Sequence, residues 1–494
     1  MSSYIEKDQL KCYNPATMES LGLVPFSSSE AVHTILDNAK KAATSFNATP
    51  LRNRKRLIQL FRKALVKKMD QFVGTIRNET GKSYQDAVLE FFVGVDLLTT
   101  KSVHVKKALS KERRSVGLYL HKRAWVEYHP HGVAGIISPW NYPFILTLSP
   151  VVEALLAGNT VVLKPSEHTP LTGKLLKETF DEITNQKQIF QIVIGTADVG
   201  KKLIESENTD IICFTGSTAV GRIIAAECGE RLKPCILELG GKDAMIILED
   251  ADLERAANAC IWGGFSNAGQ TCISVERVIV CEPVFDKFIE KLKLKMEAIS
   301  CGETDANQIG AMTMPAGLEK VNHQLDEVKP HCRDMHAPVN VQMDRGQFCV
   351  PTLVIEPDAD QTISHEETFG PVISVNKIKD EHEAIQKANE SRYGLAASVF
   401  TANKKKGRVI AKKLQAGMIM INDVQTGYGI GSLPFGGVKD SGIGRVHGIE
   451  GLRSFSRVSS VVETRFSLRS EPWWYSGIQS FPKWIRQFVK FRYR

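Results

Sequence analysis

The sequence lacks several features that would place it in a special class of protein. It has no internal repeat and no low-complexity linker, so its domains must be interleaved rather than arranged in series. No apolar run approaches the roughly 18 residues that a membrane span needs, and the N-terminus lacks the pattern of a secretory signal. The ten cysteines include no CxxC pair and no Cys/His cluster at zinc spacing. We therefore expect a cytoplasmic protein with reduced thiols and no metal ion.

What is present is an ordinary globular composition with an uneven distribution of positive charge. The 494 residues are 43% hydrophobic and 24% charged, which is enough for two or three domains. The formal net charge of +8 is concentrated in two segments. Residues 101–123 contain eight Lys/Arg and one Glu, and residues 464–494 contain seven and one. The remaining chain is mildly acidic.

The hydrophobic pattern predicts an α/β fold with parallel sheets. Residues 29–108 have apolar positions at the three-and-four spacing of helices. Further on, β-branched runs such as "GVAGIIS", "TVVLKPS" and "DIICFTGS" are mostly followed by a Gly or Ser turn and a helical pattern. Between these two regions, "SVGLYL" and "AWVEYH" are predicted to be strands on either side of "HKR".

Two strand ends carry residues suited to a nucleotide. After a strand ending near Phe214, Gly216 and Gly221 allow a ligand close to the start of a helix, whose free amides and dipole favour a phosphate. The spacing is not the GxGxxG fingerprint, so a plain strand-to-helix turn is an equal alternative. Lys164 and Glu167 at another strand exit suit a ribose, and a surface ion pair is the alternative.

Asn141, Glu238 and Cys272 are the candidate catalytic side chains. Asn141 lies between two prolines in "SPWNYP", where its amide can donate to an oxyanion or form an Asx turn. Glu238 lies in an apolar run, where a carboxylate is either paired or has a raised pKa useful for proton transfer. Cys272 follows "NAGQT" and is a candidate nucleophile, although its spacing alone does not single it out among ten cysteines.

Together these motifs resemble those of the aldehyde dehydrogenase superfamily. "PWNYP", "KPSEHTP", "FTGSTAVG", "LELGGK", "GQTC", "EETFGPV", "YGLAASVF" and "PFGGVKDSGIGR" occur in the family's order between about residues 12 and 463. The resemblance implies a doubly wound parallel-sheet cofactor domain, an α/β catalytic domain and a β-hairpin oligomerisation element. The implied limits are 1–112 and 131–240 for NAD binding, 241–441 for catalysis, 113–130 and 442–463 for the oligomerisation hairpin and strand, and 464–494 for a basic aromatic amphipathic tail.

The resemblance also implies a role for each candidate residue. Cys272 would attack an aldehyde, Asn141 and the backbone amide of Cys272 would bind the oxyanion, and Glu238 would activate the water that hydrolyses the thioester. The implied cofactor-binding residues are Ile137, Ser138, Pro139, Trp140, Lys164, Ser166, Glu167, Gly195, Gly216, Ser217, Val220, Gly221, Leu239, Gly240, Glu367 and Phe369. Because Glu167 would repel a 2′-phosphate, we expect NAD rather than NADP. The presence of Glu238 favours hydrolysis over acyl transfer to coenzyme A.

The substrate and the assembly follow from the same resemblance. The implied tunnel residues are Tyr142, Leu146, Ser149, Thr271, Ile273 and Phe435, an apolar set without a cation for a carboxylated aldehyde. We expect a medium or long aliphatic aldehyde, or an aromatic one. An isolated hairpin would expose a sheet edge, so a homodimer or homotetramer is expected. A noncatalytic scaffold or binding protein of the same fold, acting through its tail, is the alternative function.

The tail at residues 464–494 lies beyond the resemblance. Nine of its 31 residues are aromatic, including three of the six tryptophans. An apolar helical stripe is predicted, with most of the basic residues off it; the stripe is formed by Phe481, Trp484, Ile485, Phe488 and Val489. One interpretation is a helix lying in the surface of a membrane. The other is packing on the protein itself or on a second subunit. Nucleic acid is not expected as a partner, because the chain shows no nucleic-acid module.

Overall fold

Alternating strands and helices form the fold, as predicted, in the computed structural model, which describes residues 5–6, 8–338, 345–467 and 469–494. The strands are β1 (Ile5–Glu6), β2 (Gln9–Tyr13), β3 (Ser20–Pro25), β4 (Glu112–Arg114), β5 (Lys122–Pro130), β6 (Val133–Ile137), β7 (Thr160–Lys164), β8 (Phe190–Ile192), β9 (Ile211–Thr215), β10 (Cys235–Glu238), β11 (Asp243–Ile247), β12 (Val275–Cys281), β13 (Cys332–His336), β14 (Thr352–Pro357), β15 (Val372–Ile378), β16 (Ala396–Phe400), β17 (Met418–Ile421), β18 (Gly442–Ile443) and β19 (Ser456–Thr464). The helices are α1 (Ser29–Phe46), α2 (Leu51–Lys67), α3 (Met69–Thr80), α4 (Tyr84–Leu109), α5 (Ile145–Ala157), α6 (Pro170–Asp181), α7 (Ala197–Glu205), α8 (Thr218–Glu230), α9 (Leu253–Phe265), α10 (Phe285–Met296), α11 (Pro315–Val328), α12 (Thr362–His365), α13 (Glu381–Asn389), α14 (Lys404–Ala411), α15 (Thr426–Gly429), α16 (Gly448–Ser454) and α17 (Phe481–Arg492).

The first of two compact units comprises Met1–Leu109 and His129–Arg457 and contains two large sheets. The first sheet has the order β18-β10-β9-β6-β7-β8, and the second has the order β13-β14-β15-β12-β11-β16-β17. Both are parallel among their described strands except for one edge strand each, β18 and β13. Strands β6 and β7 are buried along their whole length, which explains their continuous β-branched sequences.

The first sheet is doubly wound, as predicted. From β6 the chain adds β7 and β8 on one side, and then crosses to add β9 and β10 on the other. In such sheets a ligand binds at the carboxyl ends of the strands, where the winding direction reverses. Gly442–Ile443, which the sequence assigned to the oligomerisation strand, pairs instead with β10 at the edge of this sheet.

The second unit comprises Ser110–Tyr128 and Val458–Arg494. Most of the sheet β19-β5-β4 and the helix α17 belong to it. The predicted strand at "SVGLYL" is wrong, because residues 115–121 form turns and the strand paired with β5 is Glu112–Arg114. Gly117 has a φ of +58°, which an extended strand does not allow, and the amide of Tyr119 donates to Val116 O at 3.0 Å. The other two strands of the predicted element, "AWVEYH" and "FSRVSSVVE", are present in β5 and β19.

The predicted amphipathic helix of the tail is present as α17, Phe481–Arg492. None of its residues is buried. A search of the described residues finds no helix with the length and apolarity needed to cross a bilayer. The domain limits predicted from the sequence, including that between cofactor and catalytic domains at residue 240, stay predictions.

Candidate active site

The predicted cofactor residues lie at or just after the carboxyl ends of neighbouring strands in the first sheet. They are Ile137, Ser138, Pro139 and Trp140 at β6; Lys164, Ser166 and Glu167 at β7; Gly195 after β8; Gly216, Ser217, Val220 and Gly221 between β9 and the first turn of α8; and Leu239 and Gly240 after β10. Carboxyl ends of parallel strands meet at one edge of a sheet. The topology therefore brings together residues that are 100 positions apart in the chain.

The start of α8 has the geometry of an anion site. The hydroxyl of Ser217 caps the helix, and a Cβ added at Gly221 would lie only 2.3 Å from Leu239 Cδ2, so a side chain would push the helix away from the sheet. Nearby, Lys164 Nζ lies 2.9 Å from Glu167 Oε2. Burial works to raise the pKa of Glu167, but the ion pair with Lys164, a backbone hydrogen bond and the charge of His168 together outweigh it, and the pKa is lowered. Glu167 is therefore an ionised hydrogen-bond acceptor at neutral pH.

Glu367 and Phe369 reach the same edge from the second sheet. The amide of Gly241 donates to Glu367 Oε1 at 3.0 Å. The ring of Phe369 meets that of Trp140 edge-on, with 5.5 Å between centroids. Burial raises the pKa of Glu367 to about 7. Glu367 and Phe369 are thus in contact with the loops that carry the other predicted cofactor residues.

A buried ion pair that the sequence analysis missed supports this loop. Lys242 Nζ lies 2.6 Å from Glu276 Oε2. Glu276 also accepts hydrogen bonds from the amides of Thr368 and Phe369, at 2.8 and 3.0 Å. Lys242 belongs to the "LELGGK" motif, but no sequence pattern links it to a glutamate on β12, so only the fold identifies the pair.

Cys272 follows a turn with an unusual backbone. Residues 267–269 have φ values of 52°, 53° and 69°, a left-handed backbone conformation that residues other than glycine rarely adopt. The turn is held by hydrogen bonds from the amide of Asn267 to Asp86 Oδ2 at 3.0 Å and from Gln270 Nε2 to Asn267 O at 3.0 Å. Backbone strain of this kind persists where the surrounding structure fixes it, and it is concentrated at functional sites.

Asn141 lies against this turn. Its Nδ2 donates to Gln270 O at 2.9 Å, which leaves the second amide hydrogen for a ligand. The backbone carbonyl of Asn141 accepts a hydrogen bond from Lys82 Nζ at 2.8 Å. Lys82 also lies 2.6 Å from Glu90 Oε2, and neither side chain has any exposed surface. The sequence analysis missed this pair, which fixes Asn141 beside the turn that carries Cys272.

Replacing Lys82 by methionine is expected to destabilise the protein by about 3–5 kcal/mol, because Glu90 is left as a buried charge without its partner. Urea denaturation followed by tryptophan fluorescence measures the change in midpoint. The control is Lys11→Met, which breaks the exposed pair with Glu6 and should change the midpoint little. Equal midpoints for the two variants would contradict this account of the pair.

Cys272 lines two cavities. The outer one has a volume of about 280 Å³ and is lined by four of the predicted tunnel residues, Tyr142, Leu146, Thr271 and Ile273. The inner one has a volume of about 20 Å³, roughly the room for one water molecule, and Glu238 lies on its wall. Ser149 and Phe435, also predicted for the tunnel, line the inner cavity instead. The hydroxyl of Ser149 lies 2.9 Å from His447 Nε2. Because Ser149 faces the inner cavity, it adds no room to the outer one.

Glu238 is the last residue of β10 and is 4% exposed. Within the described chain, neither of its carboxylate oxygens has a hydrogen-bond partner. Burial raises the pKa of Glu238 well above the ordinary value for a glutamate. A carboxyl group in this condition can exchange a proton near neutral pH.

Burial also raises the pKa of the Cys272 thiol, with further contributions from the carboxylates of Asp243, Glu367 and Glu238. Before ligands bind, the thiol is therefore protonated at neutral pH. Asp243 follows the "LELGGK" motif at the start of β11 and accepts a hydrogen bond from the amide of Ala396 at 2.9 Å. The thiol must lose its proton before the sulfur can act as a nucleophile.

The outer cavity has an acidic rather than a basic wall, which the sequence analysis did not predict. Asp86, Glu90 and Asp96 of α4 line it together with apolar side chains such as Phe92 and Trp262. No lysine or arginine is found among the described residues of this wall. The acids recur on one face of α4, but nothing in the sequence indicates that this face borders Cys272.

Comparison with known proteins decides the family. The family model described as "Aldehyde dehydrogenase family" matches residues 4–461. The chain belongs to the aldehyde dehydrogenase family. This confirms the resemblance of the ordered motifs, and the chain is therefore an enzyme.

Curated aldehyde dehydrogenase relatives share about a third of the sequence. The chain is 34% identical over 475 residues to a "4,4'-diapolycopene aldehyde oxidase" of Methylomonas sp, covering 95% of this chain and 89% of the relative. It is also 34% identical over 469 residues to a Mycolicibacterium smegmatis protein provisionally named succinate-semialdehyde dehydrogenase [NADP(+)], covering 93% and 90%.

Solved structures agree with the fold. An aldehyde dehydrogenase of Mycobacterium tuberculosis in complex with NAD+ has a TM-score of 0.88 and 32% identity, covering 94% of this chain and 96% of that one. A NAD-dependent aldehyde dehydrogenase of Sinorhizobium meliloti has a TM-score of 0.89 and 32% identity, covering 94% and 92%.

The residues present fit the NAD(P) that aldehyde dehydrogenases use. Gly221 lies in the first turn of α8 against Leu239, and Lys164 and Glu167 lie at the carboxyl end of β7 in the same sheet. The buried hydroxyl of Ser138 has no hydrogen-bond partner in the part of the chain that the structure describes. An unsatisfied buried hydroxyl at this edge is consistent with a ligand that completes its hydrogen bonds.

Proposed function

We propose that this aldehyde dehydrogenase oxidises uncharged, apolar aldehydes to carboxylic acids with NAD. The observation that carries the proposal is the position of Cys272, which lines an outer apolar cavity and also an inner cavity of about 20 Å³ that contains Glu238. An aldehyde reaching Cys272 through the outer cavity would meet a nucleophile with a base and room for one water behind it. The noncatalytic scaffold is set aside, because the relatives named above carry the names of enzymes.

The first half of the reaction makes a bond between sulfur and carbon. The thiol of Cys272 releases its proton to solvent water, and Sγ attacks the carbonyl carbon of the aldehyde. The carbonyl oxygen becomes negative and accepts hydrogen bonds from the free Nδ2 hydrogen of Asn141 and from the amide of Cys272. The product is a thiohemiacetal on Cys272.

The second half releases the acid. Bound NAD would supply the hydride acceptor that converts the thiohemiacetal into a thioester. Glu238 then takes a proton from the water of the inner cavity, and the water oxygen attacks the thioester carbon. The carbon–sulfur bond breaks, a carboxylic acid leaves, and the thiolate of Cys272 takes from Glu238 the proton that came from water. A base in this position supports hydrolysis over transfer to coenzyme A.

The preference for NAD over NADP rests on Glu167. Its ion pair with Lys164 keeps it ionised, and a carboxylate beside the adenosine ribose would repel a 2′-phosphate. The similar proteins differ on this point, since the Mycolicibacterium smegmatis relative is named for NADP and the Mycobacterium tuberculosis structure is a complex with NAD+. The ratio of kcat/KM values for NAD and NADP measures the preference directly.

The acidic wall of the outer cavity supports an uncharged substrate. An aldehyde with a carboxylate at its far end would place that charge near the exposed Asp96, with no lysine or arginine on the wall to pair with it. An aliphatic chain would gain about 0.8 kcal/mol for each buried methylene group. The aldehyde of a diapolycopene, named for one relative, is apolar, whereas succinate semialdehyde, named for another, carries a carboxylate.

We expect kcat/KM to rise about two- to fourfold for each added methylene from propanal until the outer cavity is filled. The size-matched comparison is succinate semialdehyde against 4-methylpentanal, in which an isopropyl group replaces the carboxylate. Succinate semialdehyde should be the poorer substrate by at least about 100-fold, and Asp96→Asn should narrow the difference. If succinate semialdehyde is the better substrate, the proposed substrate class is wrong.

We also propose that the enzyme is a homo-oligomer attached peripherally to a membrane surface. The edge strands β4 and β19 of the second unit support pairing with a neighbouring sheet.

The helix α17 supports attachment to a membrane, because Trp484 is 68% exposed and Phe491 is 87% exposed on a helix without a buried residue.

Replacing Trp484 by glutamate is expected to weaken binding to vesicles at least tenfold, roughly, since a charge replaces an aromatic side chain of the apolar stripe. Co-sedimentation of the full chain with vesicles containing phosphatidylserine measures this binding. Gln487→Glu is the matched control, because it adds the same charge to the same helix without removing an apolar side chain. Equal binding by the two variants would exclude attachment through the helix.

A further inference from the structure

We propose that the tail binds an anionic phospholipid surface together with the turn at residues 116–120, and that Glu471 holds the two together. The inference rests on the proposed membrane attachment and adds a second contact region and a device that positions it. All of the residues concerned belong to the second unit.

A buried carboxylate ties the tail to the hairpin. Glu471 is 3% exposed although it belongs to a segment in which nearly every other residue is exposed or half-exposed. Its Oε1 lies 2.5 Å from Lys122 Nζ, and its Oε2 lies 3.1 Å from His121 Nε2. The backbone contributes as well, since the amide of Arg465 donates to His121 O at 2.8 Å. The first half of the tail is therefore folded back against the start of β5.

One indole ring then connects the turn with the helix. The ring of Trp473 meets that of Tyr119 edge-on, with 5.5 Å between centroids. The centroid of the same ring lies 6.3 Å from that of Phe481, the first residue of α17. Trp473 is two residues after Glu471, so the carboxylate positions this indole.

The surface around this connection is apolar and uncovered. In the turn, Leu118 is 64% and Leu120 is 76% exposed. In the tail, Trp474 is 53% and Trp484 is 68% exposed. Large exposed apolar side chains, here on two segments that Trp473 joins, are typical of a site of interaction with another molecule or with a membrane. Tryptophan is enriched where proteins meet lipid headgroups.

Charge indicates which occupant fits. Glu471 is the one acid of residues 464–494, and it is neutralised by its partners. The tail's other charged side chains are all positive: Arg465, Arg469, Lys483, Arg486, Lys490, Arg492 and Arg494. Each basic residue near an anionic leaflet contributes about 1 kcal/mol to binding. A second copy of the same basic surface would be repelled, so lipid is the occupant that both the charge and the aromatic side chains favour.

The contribution of the turn is tested with vesicles of phosphatidylserine and phosphatidylcholine and the full chain. Leu120→Glu should weaken binding at least tenfold, roughly, because it removes an apolar contact and adds a negative charge. Ser460→Glu is the matched control, since it adds the same charge to an exposed polar position on β19. A charge alone should cost about fivefold.

The contribution of Glu471 is tested by Glu471→Gln. Two accounts predict opposite changes in the vesicle affinity of this variant. If the tail binds through its charge alone, removing a negative charge should strengthen binding about fivefold. If Glu471 joins the turn and the tail into one surface, binding should weaken, because the two contact regions no longer act together. Weaker binding by Glu471→Gln, with Leu120→Glu weaker than Ser460→Glu, is the expected result.

Three other results would overturn the inference. If Leu120→Glu and Ser460→Glu bind vesicles equally and Glu471→Gln binds them more tightly, the turn and the tail do not form one binding surface. Weaker binding by Trp484→Glu would still support attachment through α17. If Trp484→Glu and Gln487→Glu bind vesicles equally, the proposed attachment to a membrane is wrong. If Leu120→Glu lowers the oligomer mass measured by light scattering, the turn belongs to a subunit interface rather than to a lipid surface.

Discussion

Cys272→Ser is expected to lose aldehyde-dependent NADH formation by at least about 10⁴-fold while it still binds NAD. The variant loses activity because a serine hydroxyl is a much weaker nucleophile in the same buried position. Its fold should be intact, since the substitution removes no hydrogen bond of the strained turn at residues 267–269. Absorbance of reduced nicotinamide and tryptophan quenching by NAD measure the two properties separately.

Cys332→Ser is the matched control for this loss. Like Cys272, Cys332 is a half-buried free thiol, but it lies on β13 at the edge of the second sheet. Its replacement should leave the rate within about twofold of the wild-type rate. Activity retained in Cys272→Ser, or lost equally in both variants, would show that the nucleophile is elsewhere.

Glu238→Gln is expected to separate the two halves of the reaction. Hydrolysis of the thioester loses its base, so kcat should fall about 10²–10⁴-fold, whereas one equivalent of NADH should still form rapidly on each active site. Stopped-flow absorbance measures this burst and the slow phase that follows it. Adding coenzyme A should change neither the burst nor the carboxylic acid product. If the burst is lost together with the steady-state rate, Glu238 is required before hydride transfer.

The pH dependence follows from the direction of the Glu238 shift. As a base, Glu238 acts only when it is deprotonated, so hydrolysis should increase as the pH rises through its pKa. Burial raises that pKa well above the ordinary value, which moves the acidic limb of the kcat profile toward neutral pH. In Glu238→Gln this limb should be absent from the slow phase.

The sheets were predictable because buried parallel strands leave a continuous β-branched sequence. Strands β6, β7 and β9 coincide within a residue or two with the runs "GVAGIIS", "TVVLKPS" and "DIICFTGS". The same criterion failed at "SVGLYL", which has a strand-like composition but contains Gly117 in a left-handed turn. Composition does not distinguish an exposed apolar turn from a strand. The turn at residues 116–120 was therefore predicted to be a strand.

The proposed catalytic residues could be picked out from the sequence because each lies in a local motif. The structure places Asn141 beside the Cys272 turn, and Glu238 and Cys272 line the same small cavity. The side chains that hold them could not be picked out. Lys82 lies in the junction between α3 and α4, Glu90 lies in α4, and their pairing depends on how the chain turns between the two helices. The acidic wall of the tunnel was missed for the same reason.

The most direct test of the account is mass spectrometry of Glu238→Gln after mixing with NAD and hexanal. We predict one hexanoyl group on each chain, located by proteolysis on the peptide that contains Cys272, and no such group without NAD. Because the inner cavity would still admit water but would lack its base, the adduct should persist long enough to be isolated. A chain that forms NADH without this adduct, or that carries the acyl group on a different cysteine, would contradict the central role of Cys272.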